Sequence, residues 1–162
     1  MAKIFKRRNH NHSHCVENAL QKATRLCQRQ DARLTELRAR VLELIWRNHR
    51  PVGAYDLLDM LRHERGSAAP PTVYRALDFL IEHGLVHKIE SQNTYIGCSA
   101  SVGHDHPSQF LICRQCGVAA EITDPRLDEA IGDLATEAGF VVAGRTIEVE
   151  GYCPDCRQSN HA

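Results

Sequence analysis

The chain has 162 residues, 43% of them hydrophobic, which is enough to bury one large core or two small ones. Its formal charge is zero, but the charges are unevenly distributed. The residues through Glu90 include sixteen basic and ten acidic side chains, whereas those from Ser91 onward include four basic and ten acidic side chains. We therefore expect the first half to bind a polyanion. No apolar run approaches the ~20 residues that cross a bilayer, and residues 1–15 lack the apolar stretch of a signal peptide, which excludes a membrane partner and favours a cytoplasmic location.

The first part of the chain predicts a tail followed by helices. Residues 1–15 are polar, basic and His-rich without periodicity, so we interpret them as a flexible tail. Apolar residues then recur at helical spacing in three segments. These run from Val16 through Cys27, from an N-cap at Thr35 to Arg50, and from Ala54 to Gly66.

A fourth helix and a β-hairpin complete this first unit. The helix is predicted to begin at Pro71-Thr72 and to end at Gly84, where a positive φ is wanted. Two β-prone runs, 85–89 and 94–96, then flank the polar turn 90–93. Three helices followed by a hairpin are typical of a winged helix, so residues 16–97 are predicted to form a winged-helix DNA-binding domain.

The start of the fourth helix carries the residues that we expect to read DNA. In a helix-turn-helix the second helix enters the major groove and its early residues meet base edges and phosphates. Here those residues are Thr72, Tyr74 and Arg75, of which Arg75 can grip guanine or phosphate. The alternative is an ordinary solvated helix face. Supplementary phosphate contacts are predicted for Arg33, Arg38, Arg40 and Lys88.

The second half reads as a separate small α/β domain, residues 98–162, so the whole chain is predicted to be α+β. Strands are expected at 110–113, 119–122, 140–143 and 146–149, and a helix at 126–138. The predicted core-facing residues of that helix are Leu127, Ile131, Leu134 and Ala135.

Four of the seven cysteines form two Cys-x-x-Cys pairs, Cys113 with Cys116 and Cys153 with Cys156. Each pair can supply two thiolates from a tight turn, half of a tetrahedral zinc site, and four thiolates leave no open position. We therefore predict a structural zinc site. The alternatives are a redox pair, which needs only one Cys-x-x-Cys next to a βαβ unit, or ordinary buried cysteines.

A second set of metal-ligand residues lies around the junction of the two halves. Nitrogen, sulfur and oxygen donors together suit zinc better than iron or manganese. The candidates are His87, Cys98, His104, His106 and Glu121. A further cluster, His10, His12, His14 and Cys15, falls in the tail, where a loose, solvated arrangement is the simpler interpretation.

An enzymatic use of zinc finds no support in the sequence. A deaminase needs His-x-Glu upstream of Pro-Cys-x-x-Cys, and no His-x-Glu occurs in this chain. We therefore predict that the protein is not an enzyme. A zinc-buffering protein without DNA affinity remains open at this point.

Several stretches together resemble the Fur family of bacterial metalloregulators. They are AYDLLD (54–59), PPTVYRAL (70–77), GLVHKIES (84–91) and Cys113-x-x-Cys116-Gly117. The likeness covers about residues 16–157 and is closest to the zinc-sensing members. It implies a homodimer that binds operator DNA through N-terminal winged helices and is joined through C-terminal domains.

The resemblance also implies a function and a ligand set. The chain would be a zinc-responsive repressor of zinc uptake genes, with two zinc ions per subunit. The regulatory ion would be held by His87, Cys98, His106 and Glu121, and the thiol at Cys98 sets this chain apart from iron sensors. A family sensor of iron, manganese or peroxide is the alternative. A third site involving His104 is doubtful because the loop around it is short.

Overall fold

The computed structural model describes residues 4–5, 12–47, 50–66, 68–99 and 108–159, except for the side chains of Arg65 and Ser159. It combines helices with two three-stranded sheets, as predicted for an α+β chain. The helices are α1 (His12–Arg29), α2 (Glu36–Trp46), α3 (Ala54–Arg65), α4 (Pro70–Glu82), α5 (Pro125–Glu137) and α6 (Pro154–Ser159). The strands are β1 (Val52–Gly53), β2 (Val86–Ile89), β3 (Thr94–Gly97), β4 (Ser108–Cys113), β5 (Ala119–Ile122) and β6 (Thr146–Gly151).

The ends of the N-terminal helices follow the sequence signals. Thr35 caps α2 by accepting a hydrogen bond from the Arg38 backbone N–H. Gly66 ends α3 with φ 71°. Gly84, with φ 61°, ends α4, and the Leu85 N–H then bonds the Leu80 carbonyl at 2.8 Å. These signals act locally, which is why the sequence predicts them well.

The first sheet has one strand more than the predicted hairpin. Its order is β1-β3-β2, and the two residues of β1 pair with Thr94 and Tyr95 of β3. A two-residue strand gives no periodicity to detect. Beneath this sheet, α1 to α4 bury one core that includes Val41, Leu57 and Leu77.

A close approach ties α2 to β3. A Cβ atom at Gly97 would lie 2.2 Å from the Cε2 and Nε1 atoms of Trp46, the single tryptophan of the chain. Since real atoms do not come that close, only glycine fits there without movement of the ring. The contact fixes the strand that leads directly into Cys98.

The second sheet has the order β5-β4-β6. β4 pairs antiparallel with β5 and parallel with β6, so that Cys113 lies beside Gly151. Between the sheets, Ile89 and Ile96 of the hairpin share a buried cluster with Phe110, Ile112 and Ala119 of the second sheet. The two sheets are therefore joined by apolar packing as well as by the chain.

Two predictions for the second half are wrong. Residues 140–143 form no strand, because the Phe140 N–H bonds the Ala135 carbonyl at 2.7 Å and closes α5 around Gly139 (φ 66°). The residues of α5 that were expected to face the core do not reach one: the helix has no buried residue, and Leu134 is 66% exposed. The face has helical apolar spacing, but no element in the described ranges of the chain buries it.

The N- and C-terminal segments also differ from expectation. α1 begins at His12, so the predicted boundary of the tail at residue 15 falls inside a helix; residues 12–15 contain neither Gly nor Pro to stop it. At the other end, α6 was not predicted, because a six-residue helix is too short to give a periodic pattern. Both helices place cysteines, Cys15 on α1 and Cys156 on α6.

Replacing Gly97 with alanine should lower the free energy of unfolding by about 1–3 kcal/mol, because the added methyl group must displace the Trp46 ring. Urea denaturation followed by circular dichroism measures this. The control is Gly144→Ala, where an added Cβ meets nothing within 4 Å. Equal stability of the two variants would contradict the close approach.

Candidate metal sites and nucleic-acid interface

The structure brings the four cysteines of the two pairs together. Their sulfur atoms all lie within 4.8 Å of one another, and Cys113, Cys153 and Cys156 are buried. The parallel pairing of β4 with β6 causes this convergence, because both strands end at the same edge of the sheet. Phe5 and Val118 pack against the cluster.

The cluster has the dimensions of a tetrahedral thiolate site. The Sγ atoms of Cys116 and Cys153 are 3.7 Å apart, too far for a disulfide and close to the about 3.8 Å between two sulfurs on one zinc ion. Burial raises the pKa of Cys113, but backbone N–H donors, led by that of Cys153, outweigh it and lower the pKa. Burial and the neighbouring sulfurs raise the pKa of Cys156. Full ionisation of the cluster therefore calls for a cation.

A second cluster joins the two sheets. One ligand atom each of His87, Cys98 and Glu121 lies within 4.8 Å of the others. His87 comes from β2, Cys98 follows β3 and Glu121 belongs to β5. The Nε2 atom of His87 is 3.0 Å from Oε1 of Glu121, close to the about 3.3 Å between two ligands on one zinc ion. The residues present fit a zinc ion by donor type and by spacing.

Surrounding polar groups orient these side chains. The Ser108 hydroxyl lies 3.1 Å from Nδ1 of His87, and Oε2 of Glu121 accepts hydrogen bonds from the Ser99 N–H at 2.7 Å and hydroxyl at 2.8 Å. The His87 ring and the Glu121 carboxylate are thus each oriented by a hydrogen-bonding partner, as metal ligands commonly are. The sequence did not single out either serine, because serine is frequent and carries no spacing signature.

The electrostatics of this cluster favour an ion pair between His87 and Glu121. Burial lowers the pKa of His87, but Cys98 and Glu121 raise it further than burial lowers it. Burial raises the pKa of Glu121, yet His87 and Ser99 bring it below its usual range. Lys22 of α1 adds a positive charge, its Nζ atom 4.0 Å from the Cys98 sulfur.

The remaining predicted ligands either lie outside the described residues or belong to α1. His106 and His104 lie outside the described residues, as does His10. His12, His14 and Cys15 occupy the first two turns of α1. Over the ranges that the structure describes, three or more His, Cys, Asp or Glu ligand atoms converge only in the four-cysteine cluster and in the cluster between the sheets.

The predicted DNA-reading residues lie on the outer face of α4. Val73 and Leu77 point into the core, which leaves Thr72, Tyr74 and Arg75 exposed. Three of the supplementary cations are engaged within the chain. Arg40 pairs with Glu64, and Nζ of Lys88 is 2.8 Å from Oε2 of Glu90. Arg38 stacks on the Phe79 ring at 3.6 Å and donates to the Arg33 carbonyl oxygen.

A membrane-spanning helix is not found in the described part of the chain, where none combines sufficient length with sufficient hydropathy.

Comparison with known proteins places this arrangement in context. The sequence model of the ferric uptake regulator family matches residues 29–150. The zinc uptake regulation protein of Escherichia coli K12 is 40% identical over 141 residues, which cover 87% of this chain and 82% of that protein. A solved zinc uptake regulator complexed with zinc and DNA is 38% identical and superimposes with a TM-score of 0.86, covering 91% of this chain and 98% of the other.

Two crystal structures of one relative, XcZur, differ in how well they match. Both are 40% identical to this chain. The holo form gives a TM-score of 0.79, covering 87% of this chain and 98% of the other, whereas the apo form gives 0.52 with 88% and 97% covered. Since the identity is the same, the difference lies in the arrangement of the parts, and the arrangement described here is closer to the holo form.

Proposed function

The chain belongs to the ferric uptake regulator family, and on this premise we propose that it is a zinc-responsive transcriptional repressor that binds operator DNA as a homodimer and controls zinc uptake genes. A DNA-binding regulator acts where the chromosome is, so we place it in the cytoplasm. The observation that carries the proposal is the match over almost the whole chain to a regulator complexed with zinc and DNA.

We assign two zinc ions to each subunit. The four-cysteine cluster would be a closed, structural site that joins the end of β6 to the end of β4. His87, Cys98 and Glu121 would hold the regulatory ion, with His106 as the fourth ligand. Support comes from the mixed donor set, which suits zinc, and from the thiol of Cys98 in particular. Bound zinc would supply a tetrahedral junction without redox chemistry.

The position of the regulatory ligands explains how metal and DNA binding are linked. His87 belongs to the wing, here the hairpin β2–β3 with its turn 90–93, while Glu121 belongs to the second sheet. A ligand set drawn from both fixes the orientation of the wing relative to that sheet. In a dimer this orientation sets the distance between two α4 helices, and symmetric half-sites demand one spacing. By linkage, DNA must tighten metal binding by the same factor.

The homodimer accounts for the uncovered apolar surface of the second half. Leu134, Phe140 and Val141 are 66%, 67% and 87% exposed. Large apolar side chains exposed close together along the chain are typical of an interface. The side of α5 that carries Leu134, together with residues 140–141, therefore supplies the surface that we assign to the dimer.

A sensor of iron, manganese or peroxide is the second candidate within the family. Cys98 is only 3% exposed and its sulfur lies in the cluster, which favours zinc over iron or manganese as the bound metal. A zinc-buffering protein would bind metal without DNA affinity, and a gel shift on random duplex DNA with and without chelator separates that alternative.

Cys98→Ser should reduce bound zinc from two ions to one per subunit and raise the free zinc needed for half-maximal operator binding by at least about tenfold. Operators are obtained by selection from random duplexes, and zinc is counted by atomic emission. The same exchange at another buried cysteine, Cys27→Ser, should leave two ions bound. Unchanged zinc sensitivity in Cys98→Ser would refute this ligand assignment.

Arg75→Ala should weaken operator binding by about 1–3 kcal/mol while both zinc ions stay bound, because the guanidinium reads bases or phosphates from the exposed face of α4. Fluorescence anisotropy of labelled duplex measures the change. Arg126→Ala removes an equally charged, exposed side chain in the second half and should have no effect. Equal losses in both variants would point to a nonspecific charge effect instead.

Leu134→Asp should raise the dimer dissociation constant by at least about tenfold, because it places a charge in the apolar face of α5. Sedimentation equilibrium reports the change. Thr136→Asp introduces the same charge on the opposite side of the helix and serves as the control. A dimer of unchanged affinity in Leu134→Asp would exclude this face.

A further inference from the structure

Glu148 of β6 makes a contact with the wing that involves no metal ligand. Its Oε1 atom accepts the Glu90 backbone N–H at 2.6 Å, and its Oε2 atom accepts the Ser91 backbone N–H at 3.0 Å. Both donors lie in the turn between β2 and β3, beyond the last paired residues Ile89 and Thr94. A carboxylate thus satisfies two backbone N–H groups that the sheet ladder leaves open, and such charge-assisted bonds are stronger than neutral ones.

The register of the second sheet explains why Glu148 reaches the wing. Phe110 of β4 pairs with Glu121 on one side and with Glu148 on the other. Residues that pair directly across strands project to the same face, so Glu121, Phe110 and Glu148 form one row on the face toward the wing.

The wing strand lies along that row. The His87 ring contacts the Phe110 ring edge-on at 5.5 Å, and its Nε2 atom lies 3.0 Å from Oε1 of Glu121. Ile89, two residues on and on the same face of β2, belongs to the buried cluster of Phe110, and the turn then meets Glu148. The wing is therefore attached at both ends of one row: by a metal ligand at the Glu121 end and by backbone donors at the Glu148 end.

We propose that Glu148 is a positioning residue that holds the wing against the second sheet without metal and thereby sets the zinc affinity of the His87, Cys98 and Glu121 site. With the turn anchored, His87 stays near Glu121 before metal arrives. Without that anchor, the arrangement that binds zinc is less populated, and the apparent zinc affinity falls in proportion to that population. The regulatory role of this site rests on the proposed function, whereas the contact itself does not.

The test measures zinc affinity without DNA in protein whose four-cysteine site is already filled, by competition with a chelating dye. Glu148→Ala should weaken binding at the second site by about fivefold or more, and Glu148→Gln, which keeps one acceptor oxygen, should fall between it and the unchanged chain. Glu150→Gln is the matched control: Glu150 is the next residue on the same face of β6 and pairs with Arg114 at 3.6 Å. Zinc affinity in Glu148→Ala within twofold of the unchanged chain would overturn the proposal.

Hydrogen exchange of single amides separates this role from a general loss of stability. In the metal-free protein, Glu148→Ala should speed exchange at Glu90 and Ser91 at least about tenfold, while amides in the core of α2 and α4 keep their protection. Uniform acceleration over the whole chain would contradict a local anchor. Neither measurement uses DNA. If the unsubstituted protein bound DNA equally well with and without zinc, the proposed function would be wrong, but the result for Glu148 would still hold.

Discussion

The contact on which the account depends is the packing of one wing strand, β2, against the second sheet. The strand brings His87 to Glu121, and its last residue, Ile89, enters a buried cluster with Phe110. An interior of this kind is close-packed, so it resists small continuous changes of angle. A ligand set that spans this contact can therefore favour one defined arrangement of the wing over others.

The two metal clusters differ in what they join. The cysteine cluster draws its ligands from the end of β4, the turn after it, α6 and the residue before α6, so it can stabilise the second half without altering its relation to α4. The other cluster takes its ligands from both sheets, and Ser99 and Ser108 form hydrogen bonds with two of those ligands, Glu121 and His87. Only a cluster of the second kind can couple metal binding to the position of α4.

Sequence reasoning succeeded where the signal is local and failed where it depends on a partner. Thr35, Gly66 and Gly84 act within one turn of their own helix ends, and the sequence predicted each of them. The apolar spacing of α5 correctly predicts a helix, but the same pattern is typical of a core face and of an interface, so spacing alone could not predict that Leu134 is exposed. The assignments of Thr72, Tyr74 and Arg75, and of the metal ligands, stay predictions. Glu148 escaped detection because its role depends on a sheet register that brings residues 58 positions apart into contact.

The affinity of the dimer for a selected operator duplex, measured against free zinc with the four-cysteine site kept filled, tests the central claim most directly. A parallel titration with free ferrous iron separates a zinc sensor from its closest alternative. The account predicts that DNA affinity rises about 10- to 100-fold as zinc fills the site between the sheets, and that iron at the same free concentration has no such effect. Equally tight DNA binding with that site empty would contradict it.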